Sequence, residues 1–150
     1  MTIGLIDDVG LVVPIIPPDA YDSDNKAATD LQTLNIEGYD GATLILGWGT
    51  CGAGASAQVN VVFSSTGSAS DAAEITLATD AVFTAIDSDT TAPGVEVMEL
   101  DFTLAGLGGV GVLGATITMT KDVDLAMYAI PWIGCKSKPV SQTNTVLRKG

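Results

Sequence analysis

The sequence predicts an all-β protein: a single antiparallel β-sandwich or jelly-roll-like domain with extended N- and C-terminal arms. Three observations lead there. Apolar and polar residues alternate with period two in several stretches. The stretches are short and separated by Gly-, Ser- and Asp-rich turns, the pattern of a sandwich or jelly roll. Apolar residues make up 47% of the 150, enough to close one core and too many for a disordered chain.

The elements follow from the same periodicity. In Ala57-Gln58-Val59-Asn60-Val61-Val62-Phe63-Ser64 the odd positions are apolar, and Ala115-Thr116-Ile117-Thr118-Met119-Thr120 repeats the pattern with threonine outward. Both predict half-buried strands. Ala42, Leu44, Leu46 and Trp48 line one side of a third strand, with Tyr39-Asp40-Gly41 as the preceding turn. In Val95 to Leu104, residues Met98, Leu100, Phe102 and Leu104 share one phase, whereas Val95 and Val97 take the other. A β-bulge near Val97–Met98 is the expectation, because one extra residue turns all later side chains over. Leu125 to Ile133 is apolar on both faces and contains Pro131, a covered strand that ends or edges its sheet there. Thr76 to Ile86 fits a strand or a short helix, and Asp22 to Leu34 has the sparse spacing of a weak helix. With a further run near 11–16, these give an N-terminal arm over 1–20, a sandwich over 21–135 and a basic tail over 136–150.

Phe102 to Thr120 carries no charge over nineteen residues, the length of a membrane span. Five glycines, period-two threonines and acidic flanks argue instead for two strands joined by a glycine-rich loop. The N-terminus lacks a basic start and is broken by Asp7, Asp8, Pro14, Pro17 and Pro18; it is a poor secretion signal, so the expectation is a protein made and kept outside a secretion route. Cys51 and Cys135, 84 residues apart, are expected as two small thiols rather than a disulfide.

Charge is unevenly placed. Eighteen acids face six bases for a net −12, yet Lys136, Lys138, Arg148 and Lys149 all lie in the last fifteen residues. Residues 1–135 therefore carry −16 and the tail +4. An acidic body is a poor match for nucleic acid or an anionic membrane, and neither is expected as a partner.

Catalytic motifs fail on context. Gly106-Leu107-Gly108-Gly109-Val110-Gly111 fits G-x-G-x-x-G, with Asp124 downstream, but the loop leads into an alternating strand rather than a helix whose N-terminus could hold a pyrophosphate. Gly54-Ala55-Ser56-Ala57-Gln58 imitates a nucleophile elbow without its closing glycine. The chain has no histidine, so no Ser-His or Cys-His pair exists. Acid pairs at Asp22/Asp24, Asp87/Asp89 and Asp122/Asp124 lack the remaining ligands of a calcium loop, and eight aromatics offer few platforms for a glycosidase. No enzyme, no cofactor and no metal is expected. Trp48 and Trp132 are expected as core or interface anchors.

The tail has a physical role open to it. A +4 strap can lie across the acidic surface of a neighbouring copy, each contact worth a few tenths of a kcal/mol when exposed, and repetition makes the sum significant. A solubilising end is the alternative. The residues singled out for partner binding are Lys136, Lys138, Arg148 and Lys149 in the tail, Val12, Val13, Ile15 and Ile16 in the N-terminal arm, and Trp132.

Gly38-Tyr39-Asp40-Gly41-Ala42-Thr43-Leu44-Ile45-Leu46, fed by an extended stretch from Leu31 and followed much later by Tyr128-Ala129-Ile130-Pro131-Trp132-Ile133-Gly134, resembles small head-associated virion proteins of tailed bacteriophages. Met98-Glu99-Leu100-Asp101-Phe102 stands where that family usually has a basic, tyrosine-containing strand. The resemblance implies a β-sandwich on the outer surface of a capsid, a decoration (cement) protein or minor capsid component. Its partners would be the major capsid protein and copies of itself, a homo-oligomer such as a trimer, and it would be located in the virion after assembly in the host cytoplasm. The rivals are a head fibre, spike or tail component, or a carbohydrate- or cell-surface-binding module on the same fold.

Overall fold

The structure, a computed structural model, describes residues 11–22, 24–75, 83–87 and 92–133, and the backbone of 146–149. Ten strands run in order: β1 Val13–Tyr21, β2 Leu34–Asn35, β3 Gly41–Cys51, β4 Ser56–Ser64, β5 Ala73–Glu74, β6 Ile86–Asp87, β7 Gly94–Asp101, β8 Val112–Met119, β9 Val123–Trp132 and β10 Val146–Lys149. They form two antiparallel sheets, β1-β9-β3-β7-β10 and β2-β8-β4-β5, with β6 also on β4.

β5 and β6 pair with opposite ends of β4, Val62–Phe63 and Ser56–Ala57 respectively, and so occupy one strand position in two pieces. Counted that way, β1 to β9 make eight strands in two sheets of four. The first strand lies beside the last, and the chain crosses between sheets at nearly every connection. This is jelly-roll order, and β10 is an addition at the β7 edge.

The alternation in the sequence is what closes the core. Ala42, Leu44 and Leu46 of β3, Met98 and Leu100 of β7, and Leu125, Met127 and Ala129 of β9 face Ala57, Val59 and Val61 of β4 and Leu113, Ala115 and Ile117 of β8. Gln58, Asn60, Thr116 and Thr118 point away from that core and are half-buried or exposed. The glycine-rich segment 102–111 is a loop between β7 and β8. It ends at Gly111, whose φ of 140° and approach to the Ser64 carbonyl and the Phe63 ring leave no room for a side chain.

Several expectations are corrected. Residues 13–20 belong to β1, an edge strand of the larger sheet, rather than to an arm, and enter the core at Ile15 and Ile16. The ladder steps from Pro14↔Tyr128 to Ile16↔Met127, so two residues of β1 oppose one of β9. This bulge puts the consecutive side chains of Ile15 and Ile16 both inward, at 0% exposure, and removes them as contact residues. β7 has no bulge: its pairing with β3 is unbroken from Gly41↔Asp101 to Trp48↔Gly94. The second apolar phase, Val95 and Val97, faces outward, and Glu96 faces in. The weak helix over 22–34 is a single 3-10 turn, Ala28–Asp30, closed by the Asp30 carboxylate accepting from the Ala27 N–H at 2.9 Å. Of the tail, Val146–Lys149 is a sheet strand on β7 rather than a free strap. Most of Thr76 to Ile86 lies outside the described residues.

Pro131 sits inside β9 without breaking it. The Trp132 carbonyl accepts from the Asp40 N–H on the β3 side, so the Pro131 nitrogen points to the β1 side. There β1 pairing has already ended, at Val13↔Ala129. No ladder donor is missed.

The corrected boundary has a direct test. Ile16→Ala should cost about 2–5 kcal/mol in urea unfolding, and Val12→Ala, on an exposed residue, less than about 0.5 kcal/mol. Equal, small effects would return residues 13–16 to the arm.

Candidate interaction surface

In β3, β7 and β9 both side-chain phases carry apolar residues, so burying one phase leaves the apolar members of the other, among Thr43, Glu99, Asp101 and Asp124, on the outer face of the larger sheet. Register sets its rows. Pro14, Tyr128, Ile45 and Val97 lie side by side across β1, β9, β3 and β7. Ala126, Gly47 and Val95 form the next row, and Ile130, Thr43 and Glu99 the row on the other side. Most of these are half-buried, with Val95 42% exposed. The smaller sheet instead shows Gln58, Asn60, Thr116 and Thr118 outward. The molecule has one apolar and one polar broad face, an arrangement that favours contact through the first.

Trp132 closes one end of the apolar face. Its ring lies over Gly41, where a Cβ would collide with the indole and with the Leu100 carbonyl. This close approach is what Gly41 permits. Ile133 beyond it is 75% exposed.

At the opposite end is an open groove of about 480 Å³ lined by Pro18, Asp19, Trp48, Gly94, Val95 and Asp124, among others. Trp48 is fixed there: its ring packs on Gly94, and its Nε1–H donates to the Ala92 carbonyl at 2.7 Å. Nearby, Cys51 is half-buried. Burial first, then the negative charges of Asp124 and Asp87, push its thiol pKa up.

Among the described residues Glu96, only 1% exposed, is the charged exception inside the sandwich. Its carboxylate accepts from the Thr84 N–H at 2.9 Å and the Thr84 hydroxyl at 3.2 Å. Such hydrogen bonds offset part of the cost of burying a carboxylate. Outward Val95 and inward Glu96 are two results of one register.

The sequence-predicted contact residues scatter. Val12 is exposed and Val13 half-buried at the start of β1; Ile15 and Ile16 are in the core. Trp132 is half-buried at the end of the apolar face. Arg148 and Lys149 are paired in β10 with Glu96 and Val95. Lys136, Lys138 and Cys135 lie outside the described residues. Ile45, Val97, Tyr128 and Ile130 were not singled out from the sequence, although the two-sided apolar character of 125–133 was a signal for them.

The short motifs have structural roles. Ser56 opens β4 after the turn closed by Ala55 N–H on the Gly52 carbonyl, and its N–H donates to the Thr120 hydroxyl at 3.0 Å. Among the described residues no three Cys, Asp or Glu side chains are grouped to hold a metal ion. No described helix is long and apolar enough to cross a membrane.

Two outcomes are expected. In a Trp48→Phe background, Gly41→Ala should cost about 1–3 kcal/mol and shift Trp132 emission to the red as the indole lifts from the sheet. In a Cys135→Ser background, iodoacetamide at pH 8 should modify Cys51 more slowly than a free thiol. Asp124→Asn should speed that reaction, because a raised pKa leaves less thiolate; a rate unchanged by Asp124→Asn would remove that carboxylate as a cause.

No family model matches the chain, and neither the curated proteins nor the solved structures contain a significant match to it.

Proposed function

We propose that this protein is a non-enzymatic structural component of a tailed-phage virion, a decoration (cement) protein that binds the outer surface of the capsid. The observation that carries the proposal is the apolar outer face of the larger sheet, with Pro14, Tyr128, Ile45 and Val97 in one row and Val95 and Trp132 toward its ends. Three further points support it. Jelly-roll order is used by viral capsid domains. The acidic body of −16 suits a protein partner better than packaged nucleic acid. The resemblance around Gly38 to Leu46 points to head-associated proteins.

Magnitude shapes the mechanism. Four strands at ~4.8 Å spacing and about seven residues at ~3.3 Å give a face of roughly 450 Å² in plan. A standard interface buries about 800 Å² on each partner. One copy holding by this face alone attaches weakly, and firm attachment requires several copies acting together. On this proposal the major capsid protein and other copies of the chain are joint partners.

A glycan-binding module is the second reading, because lectins also use jelly-roll order and the groove beside Trp48 carries Asp19 and Asp124. It predicts affinity for isolated sugars that Trp48→Ala abolishes, and no fixed ratio to capsid protein.

The test is co-sedimentation with heads of the phage that encodes the chain. The wild type should bind at a fixed ratio to capsid protein. Tyr128→Asp and Val97→Asp should each lower occupancy at least about tenfold, a loss of roughly 1.4 kcal/mol or more per copy, with unchanged circular dichroism. If both variants saturate heads like the wild type, the apolar face is not the contact; if no head binds the wild type, the capsid proposal itself fails.

A further inference from the structure

Glycine weakens the interior of a strand, and it persists where a bend, a tight internal contact or a close approach from outside requires it. The strands hold five: Gly41, Gly47 and Gly49 in β3, Gly94 in β7 and Gly114 in β8. At four of them a Cβ would stand within 3.3 Å of a neighbouring atom. Gly47 is the exception. It sits in unbroken register between Ala126 of β9 and Val95 of β7, with no left-handed φ. The nearest described atoms to a Cβ there would be 4.0 Å away, an ordinary contact distance. No packing among the described residues calls for glycine at this position, which leaves approach from outside.

Gly47 lines the open groove beside Trp48. The chemistry of that lining is one-sided. Apart from Trp48, Asp19 and Asp124, the lining residues are aliphatic or glycine, and no lysine or arginine is among them. Asp124 leans over Gly49, where a Cβ would meet its side chain at 3.0 Å. Asp19 accepts the Ala20 N–H at 2.8 Å through one oxygen and keeps the other. The Trp48 Nε1–H is engaged by the Ala92 carbonyl, so the indole offers the groove its ring alone. The side chains of the groove thus present carboxylate acceptors and an aromatic surface, and no donor. A sugar hydroxyl both donates and accepts, and half of that capacity would go unmet here. A guanidinium only donates, carries positive charge, stacks on aromatic rings and forks to reach two carboxylates.

We propose that the groove is a docking site for an arginine side chain of a partner protein, with the aliphatic stem over Gly47 and the guanidinium among the Trp48 ring, Asp19 and Asp124. Val95 and Ala126 belong both to the groove and to the apolar outer face, so the two are continuous. The site adds a charged anchor to the contact made by that face, and it rests on the capsid reading only for which protein supplies the arginine.

The probes are a short blocked peptide with one arginine and the same peptide with citrulline, its neutral isostere. The readout is the Trp48 indole N–H signal in NMR, identified by its loss in Trp48→Phe. The arginine peptide should move that signal with an affinity at least about tenfold above the citrulline peptide, and more weakly as salt rises. The double variant Asp19→Asn, Asp124→Asn should lose at least about tenfold in affinity for it. Gly47→Val should unfold at the wild-type temperature or above, because a β-branched residue suits a strand. It should nevertheless lose the response, because its side chain occupies the place of the arginine stem.

Equal binding of the two peptides, or no response to either, overturns the proposal. So does Gly47→Val that binds the arginine peptide like the wild type, or that unfolds well below it, since the fold itself would then need the glycine. Maltose moving the signal where the arginine peptide does not gives the groove to the glycan reading. Protein that binds heads but not the arginine peptide defeats the groove proposal alone. Protein that binds the peptide but no head defeats the capsid reading alone.

Discussion

The structure depends on β3 holding two partners in unbroken register. β7 pairs with it from Gly41 to Trp48, and β9 pairs with it over the same residues from the other side. Because side chains alternate strictly along a strand, this one alignment decides which side of three strands is inside. It sends Leu44, Met98 and Met127 into the core and Ile45, Val97 and Tyr128 to the outer face. It also carries Glu96 inward, where Thr84 meets its carboxylate. A slip of one residue in β7 would expose Met98 and Leu100 and leave that carboxylate without its donors.

Where one face of a strand is polar, the sequence is sufficient to read it. β4 and β8 alternate apolar with Gln, Asn and Thr, and their buried positions follow the alternation except at the end of β4, where Val62 and Ser64 are buried and Phe63 is half-buried. Where both faces are apolar, alternation carries no sign. Val95 and Val97 then look like a break in phase, although the ladder is continuous and they belong to a second apolar surface. The same ambiguity hides the apolar outer face, since Ile45, Ile130 and Tyr128 look like core. Ile15 and Ile16 fail for the opposite reason. Among prolines they suggest an exposed arm, and only the bulge against β9 allows neighbouring side chains to enter the same core.

The tail illustrates a different limit. Its charge is visible in composition, but four residues of mixed character do not announce a strand. Backbone pairing with β7 needs only an open edge, and the sequence around Val146 contains no record of where that edge is. Charge patterning thus located the segment, and sheet topology located its partner.

The placement of β9 between β1 and β3 has a consequence in time. The larger sheet joins Val13 to Ala129 and Gly41 to Trp132, pairings that span most of the chain. Such non-local contacts form slowly, because the loop they close must be ordered before they reward it. A nascent chain cannot complete the sheet until β9 has left the ribosome, long after β1 has emerged. The broad apolar face is therefore assembled only after β9 has emerged, and chains that stop short of it have no intact face.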